Sequence, residues 1–198
     1  RTGGGQLTSA ITAIVLAAGQ GSRFRAQSGQ DKLLAHCVGR DGVTRPVFEH
    51  VLLNLPASIT RRWVVTSPAC SEVIRLATDH GCEVLLLESA GMGDSIAAAV
   101  AASAPAAGWL VVLGDMPFIQ ASSIERVIER VDGISVPVHA GRQGHPVAFG
   151  QALGLALMEL TGDRGAKALF AQADVREVPV DDPGVLWDVD VPQALEFR

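Results

Sequence analysis

The chain lacks the cysteine pattern of a disulfide or zinc framework: its three cysteines, Cys37, Cys70 and Cys82, are odd in number, far apart and never spaced C-x-x-C. That argues against a stapled secreted scaffold and makes a reducing cytoplasm the expected compartment. A basic excess is missing too, the formal net charge being −5. No broad face therefore invites a nucleic acid or an anionic membrane, and any anion site must be local. No apolar run approaches the ~18 residues of a membrane span, and no charged-then-apolar leader opens the chain. Internal repeats and low-complexity linkers are likewise absent. What is present is 198 residues with 48% hydrophobic content, enough for one domain with a substantial core. Residues 1–10, glycine-rich and polar, are expected to be a disordered lead or an expression remnant, leaving 11–198 as a single domain.

The organising stretch is the apolar run Thr12 to Ala17, followed at once by Ala18, Gly19, Gln20, Gly21, Ser22, Arg23 and Phe24. Such a run reads as a strand buried on both faces, and glycines directly after it let backbone amides turn toward an anion while Arg23 supplies charge. Two familiar motifs fail here. Phe24 stands where a dinucleotide fingerprint needs its third glycine, and no G-K-S/T follows for a P-loop. A phosphate-binding loop of a third kind and a plain tight turn both fit, with Lys32 as a second cation downstream.

Residues 25–42 read as a polar flap interrupted by the more apolar Asp31 to Ala35. Val47, Val51, Leu52 and Leu55 recur at helical spacing behind Pro46, so a helix ending near Pro56 is expected, with Thr44 as its cap. Trp63–Thr66 and Glu83–Leu87 read as strands around a helix Ser71–His80 stopped by Gly81. This alternation implies parallel β-α-β units, whose ligands bind beyond the carboxyl ends of strands.

The loop before the alanine-rich helix 96–102 carries Gly91, Met92, Gly93, Asp94 and Ser95. It could cap that helix through Asp94 or Ser95, hold a nucleotide base, or form a degraded G-x-S-x-G elbow, for which Ser95, Asp115 and His145 stand in triad order. Trp109 to Leu113 is a strand running straight into Gly114, Asp115, Met116 and Pro117. A charge at the end of a central strand is costly without compensation, which makes Asp115 the first candidate metal ligand. Ser122 is the better cap for the helix 123–131. His145, after the strand 134–138, reads as a structural histidine, a base or a substrate contact. A helix spans 151–160, the turn Gly162, Asp163, Arg164 and Gly165 opens a short helix 166–173, and Val175–Val180 is a strand. Asp188 and Asp190 alternate around Val189 before a Pro192-started terminal helix, so both acids point to one face, as cation ligands or as an acidic cap.

Taken jointly, Leu16-Ala17-Ala18-Gly19, Gly21-Ser22-Arg23-Phe24 and Lys32-Leu33-Leu34 resemble the nucleotide signature of the MobA-like nucleotidyltransferases. Leu113 to Pro117 is similar to that family's metal motif, and Gly144-His145-Pro146-Val147, Gly162 to Ala166 and Asp188 to Pro192 to its later blocks. Ala18, where the guanylyltransferase branch usually has a second glycine, together with the G-H-P and G-D-x-G-A blocks, makes the chain most similar to the family's molybdenum cofactor cytidylyltransferases. The resemblance implies a Rossmann-like nucleotidyltransferase fold, a three-layer α/β/α domain with a mostly parallel central sheet.

It implies a reaction in which CMP from CTP is joined to the phosphate of molybdopterin and pyrophosphate leaves. The alternatives are a guanylyltransferase using GTP, or a transferase for another small phosphorylated acceptor. Leu16 would belong to the nucleotide site, Ala17, Ala18 and Gly19 would line base and sugar, Gly21, Ser22 and Arg23 the triphosphate, and Lys32 the α-phosphate region. Gly91 and Ser95 resemble the base-contacting loop, and Asp115 and Asp190 would hold Mg²⁺. Arg23, Lys32 and Asp115 would carry catalysis, while His145, Asp163 and Arg164 would meet the acceptor. A phosphorylated pterin and a molybdoenzyme or its chaperone are the implied partners. One departure is the length of Arg25 to Asp31, longer than the family's usual interval before the lysine.

Overall fold

The computed structural model describes residues 10–18, 22–88 and 91–198, without the side chains of Ser22 and Arg23. The chain runs β1 (Ile11–Leu16), α1 (Ser22–Ser28), β2 (His36–Val38), β3 (Thr44–Pro46), α2 (Val47–Leu53), β4 (Arg61–Thr66), α3 (Ser71–Asp79) and β5 (Glu83–Leu86). It continues with α4 (Met92–Ser103), β6 (Gly108–Leu113), α5 (Ala121–Ile128), β7 (Ile134–His139), β8 (Arg142–Gln143), β9 (Val147–Gly150), α6 (Gly154–Met158) and β10 (Val175–Pro179).

The main sheet has the order β10-β7-β9-β6-β1-β4-β5, with β8 paired to β7. β1 runs parallel to both β4 and β6, and β4 to β5. The fold is thus the Rossmann-like α/β arrangement with a mostly parallel sheet that the sequence implies. After β5 the chain crosses back to lay β6 on the other side of β1, so the strand order reverses beside β1. In open α/β sheets such a reversal leaves a crevice beyond the strand ends.

Period-two side chains explain why three layers form. Thr12, Ala13, Ile14 and Val15 are all fully buried, because β1 is covered on both faces. Ala13, Val15, Leu110 and Val112 face one core with Val51, Leu52, Val73, Leu76, Ile124 and Val127 from α2, α3 and α5. Ile14, Val65, Trp109 and Val111 face a second core with Ile96, Ala99, Val100 and Leu157 from α4 and α6. All three cysteines are free, Cys37 and Cys82 buried and Cys70 half-buried. Among the described residues, no helix is long and apolar enough to cross a membrane.

Several local expectations are corrected. The flap region holds a short helix and an antiparallel ribbon of β2 and β3, in which Thr44 pairs with Val38 and so does not cap α2. β9 lies antiparallel between β6 and β7. α4 starts at Met92, not Ile96: Gly91 is its cap residue, and the Asp94 carboxylate accepts from the Gly91 amide at 3.4 Å. Ser122 lies inside α5, whose cap position is Gln120. The segment after Pro192 is a single 3₁₀ turn, Pro192–Leu195.

Candidate nucleotide and metal site

Two strand ends build the site. Leu16 stands in register with Leu113, and the Gly114 amide donates to the Leu16 carbonyl at 2.9 Å. A Cβ at Gly114 would sit 2.7 Å from that carbonyl oxygen, so only glycine lets the Asp115 loop lie this close to the end of β1. Buried Thr66 donates its hydroxyl to the Ala17 carbonyl at 2.9 Å, fixing the other side of the same turn.

Above these ends lies a cleft of about 280 Å³ walled by Leu16, Ala17, Ala18, Lys32, Asp115 and Ser95, among others. Lys32 Nζ reaches Asp115 Oδ2 at 2.8 Å, with side chains 13% and 19% exposed. The pair bridges the connection between α1 and β2 and the loop after β6, and α1 takes up the long interval before Lys32. The acidic segment near the C terminus joins them, since the Val189 amide donates to the Asp115 carbonyl at 2.8 Å. Val189 is fully buried while Asp188 is exposed and Asp190 half-buried. This is the alternation expected when both acids share one face.

The donor set fits a hard divalent cation. Mg²⁺ takes one or two carboxylates and completes its shell with phosphate oxygens and water, and Asp115 with Asp188 or Asp190 offers such oxygens. Among the described residues, no cluster of three or more His, Cys, Asp or Glu side chains forms a ready-made cage. A cation here would therefore rely on substrate oxygens.

The loop 161–165 closes the cleft by capping α4. The Gly162 carbonyl accepts from the Gly93 amide at 2.8 Å and, more weakly, from Asp94 at 3.4 Å. These contacts occupy amides that α4 would otherwise leave free. A Cβ on Gly91 would fall 2.3 Å from that carbonyl oxygen and 2.6 Å from Asp163 Oδ1. Gly91→Ala is expected to push the loop off the helix end and lower kcat/KM for the nucleotide by roughly 10- to 100-fold, which steady-state kinetics would read directly.

A second pocket of about 240 Å³ adjoins the first through Met92 and Leu113. Its walls include Phe149 and Phe170, with Gln143, His145 and Lys167 as polar groups. His145 Nδ1 is buried there without a hydrogen-bond partner. Burial holds the imidazole below its ordinary pKa of 6.5, Asp115 and Asp188 pull it up, and Lys167 pushes it down. His145 is accordingly neutral at physiological pH. Because its folded pKa is depressed, the stability it lends is present above about pH 6.5 and falls as pH drops through the folded value. Urea midpoints are expected to decline from about pH 7.5 to 5.5, and His145→Gln should flatten part of that decline.

Of the residues singled out by sequence, Leu16, Ala17, Ala18, Lys32, Gly91, Ser95 and Asp115 meet around the first cleft. Gly19 and Gly21 lie outside the described residues, as do the side chains of Ser22 and Arg23. The three acceptor candidates do not come together. His145 lines the second pocket, Asp163 lines the first, and Arg164 is exposed on the capping loop. Ser95 sits inside α4, only 3% exposed, and Asp115 pairs with Lys32 while His145 Nδ1 has no partner. Ser95, Asp115 and His145 thus form neither an elbow nor a serine triad. Gln143 and Lys167 are polar groups of this pocket without a counterpart among the sequence candidates; the available signals are their places directly before the G-H-P block and directly after the G-D-x-G-A block.

Residues 13–178 match the MobA-like NTP transferase domain. The bifunctional protein GlmU of Cereibacter sphaeroides (strain ATCC 17025 / ATH 2.4.3) is 34% identical over 146 residues, which are 71% of this chain and 31% of that protein. The chain thus spans well under half the length of the curated relatives it matches. Rv0371c from Mycobacterium tuberculosis H37Rv superposes with a TM-score of 0.79 at 27% identity over 96% of each chain. Another crystal structure of Rv0371c, a complex with manganese, gives a TM-score of 0.74 at 28% identity over 94% of this chain and 96% of that one. A nucleotidyl transferase from Methanothermobacter thermautotroptrophicus shares the fold, with a TM-score of 0.78 at 23% identity over 93% and 94% of the two chains.

Proposed function

The chain belongs to the MobA-like NTP transferase family, and from that premise we propose that it joins CMP from CTP to the phosphate of molybdopterin with release of pyrophosphate. The observation that carries this reading is the Lys32–Asp115 pair at 2.8 Å, set where the strand order reverses and joined to the segment 188–190 through the Val189 amide on the Asp115 carbonyl. An acceptor phosphate oxygen attacks the α-phosphorus, the bond from that phosphorus to the β-phosphate's bridging oxygen breaks, and pyrophosphate takes the electron pair. Such a transfer needs no side-chain nucleophile, only positioning and neutralisation of charge.

Leu16, Ala17 and Ala18 hold the base and sugar against β1, with Gly91 and Ser95 opposite. Lys32 leaves Asp115 to meet the α-phosphate, and Arg23 and the amides near Gly19 and Gly21 take the rest of the triphosphate. Asp115 with Asp190 or Asp188 is the ligand set for Mg²⁺, which when bound screens the triphosphate and the departing pyrophosphate. That Rv0371c forms a manganese complex supports a divalent cation, since manganese shares the preference for oxygen donors.

The second pocket suits a flat heterocyclic acceptor. Phe149 and Phe170 offer aromatic walls, Gln143 and the unpartnered Nδ1 of neutral His145 offer hydrogen bonds, and Lys167 offers charge for an acidic group. A molybdoenzyme or its chaperone is the expected recipient of the product.

Pyrophosphate release measured with Mg²⁺, using CTP or GTP with and without molybdopterin, tests the reading. Release with CTP that depends on the pterin is expected. Release with GTP alone of the two moves the chain to the guanylyl branch, and nucleotide binding without release in any pterin sample removes this acceptor.

A further inference from the structure

Behind the cleft, one buried carboxylate ties together the segments that carry its acids. Asp182 is 1% exposed. Its Oδ1 accepts from the Gly184 amide at 2.9 Å and Arg40 Nη1 at 2.5 Å, and its Oδ2 from the Gln120 amide at 2.9 Å and Ser123 Oγ at 2.8 Å. All four acceptor positions of the carboxylate are thereby used. The same Arg40 nitrogen donates to the Phe118 carbonyl at 3.2 Å.

These partners come from three distant parts of the chain. Arg40 lies in the turn between β2 and β3, Gln120 ends the loop that leaves Asp115 and Ser123 lies in the first turn of α5 beyond it, and Gly184 opens the segment leading to Asp188 and Asp190. The last two segments are in backbone contact, since a Cβ on Gly184 would fall 1.9 Å from the Phe118 oxygen. They meet again where the Val189 amide donates to the Asp115 carbonyl at 2.8 Å.

Asp182 therefore anchors one end of a two-segment clasp whose other end is the pair of acidic motifs. The C-terminal residues press on it: Phe197 stacks on Phe118 at 4.8 Å between ring centres, meets Trp187 edge-on at 5.2 Å, and lies 5.1 Å beneath the Arg40 guanidinium.

We infer that Asp182, held by Arg40, is a positioning residue that sets the separation between Asp115 and the acids of 188–190, and through it the affinity for a divalent cation. Fastening the start of α5 alone would use the two Oδ2 contacts, to the Gln120 amide and the Ser123 hydroxyl. It leaves unexplained why the other oxygen binds the hairpin arginine and the start of the acidic segment. The inference rests on the cation role proposed above for Asp115.

The test is Mn²⁺ binding in the presence of CTP and without acceptor, read by the electron paramagnetic resonance of the free ion, with melting curves alongside. Arg40→Ala is expected to weaken Mn²⁺ binding about 10-fold, and Arg40→Lys, which keeps a cation beside Asp182, to recover most of it. If Arg40→Ala does not fold, Phe197→Leu removes the stack on Phe118 and is expected to weaken Mn²⁺ binding in the same direction. A variant that melts earlier yet binds Mn²⁺ as tightly as the wild type would overturn the inference by reducing the clasp to a stability element. A wild-type protein that binds CTP but retains no Mn²⁺ would instead remove the cation role of Asp115, and the inference with it.

Discussion

Asp115→Asn is expected to lower turnover at least ~100-fold at saturating nucleotide and Mg²⁺, the order seen when a principal transition-state stabiliser is lost. The substitution keeps size and shape, and the amide oxygen can still accept from Lys32, so the loop that lies against β1 through Gly114 should hold its place. What disappears is the negative charge with which Asp115 would help hold a divalent cation. Because the proposed contacts to the base and sugar use other residues, the loss should fall mainly on kcat, with a smaller change in KM for the nucleotide. Near-normal turnover of a folded Asp115→Asn protein would remove this residue from the chemistry.

Lys32→Met should lower kcat/KM for the nucleotide by about 100-fold, for a different reason. Lys32 is 13% exposed and its ammonium sits 2.8 Å from Asp115, so without a nucleotide each group neutralises the other. On the proposed reading, nucleotide binding would exchange partners, with Asp115 free to help hold a divalent cation and Lys32 free to meet a phosphate. Removing the ammonium leaves Asp115 uncompensated, so Lys32→Met should bind Mn²⁺ more tightly than the wild type in the absence of nucleotide while catalysing poorly. Calorimetric titration with Mn²⁺ alone reads that reversal. A lysine that merely packed the hairpin would show neither change.

The parts legible in sequence were those whose physics is local. β1 and β6 are unbroken apolar runs because both faces of the sheet are covered, and a glycine and an acid directly after β6 mark a strand end where charge meets a crevice. The shared face of Asp188 and Asp190 was readable because extended chain alternates.

What sequence could not show depends on partners far along the chain. The direction of β9 is invisible in Val147 to Gly150, since a short apolar run pairs equally well either way. The start of α4 at Met92 is followed at once by Gly93, a poor helix former, and is fixed by a carbonyl about seventy residues later, that of Gly162. Ser122 looks like the cap for α5, yet the cap position is Gln120, whose amide is satisfied by Asp182, sixty-two residues away. The three acceptor candidates were separated for the same reason: the turn holding Asp163 and Arg164 serves first as a cap for α4, which leaves Asp163 on the nucleotide side and Arg164 outside.

The most direct measurement follows the phosphorus atoms themselves. With CTP labelled at the α-phosphate, Mg²⁺ and molybdopterin, the label is expected to move to the pterin product, while a γ-label leaves as pyrophosphate. Transfer of the γ-label to the acceptor, or pterin-dependent loss of CTP with no α-label in the product, would contradict nucleotidyl transfer at this cleft.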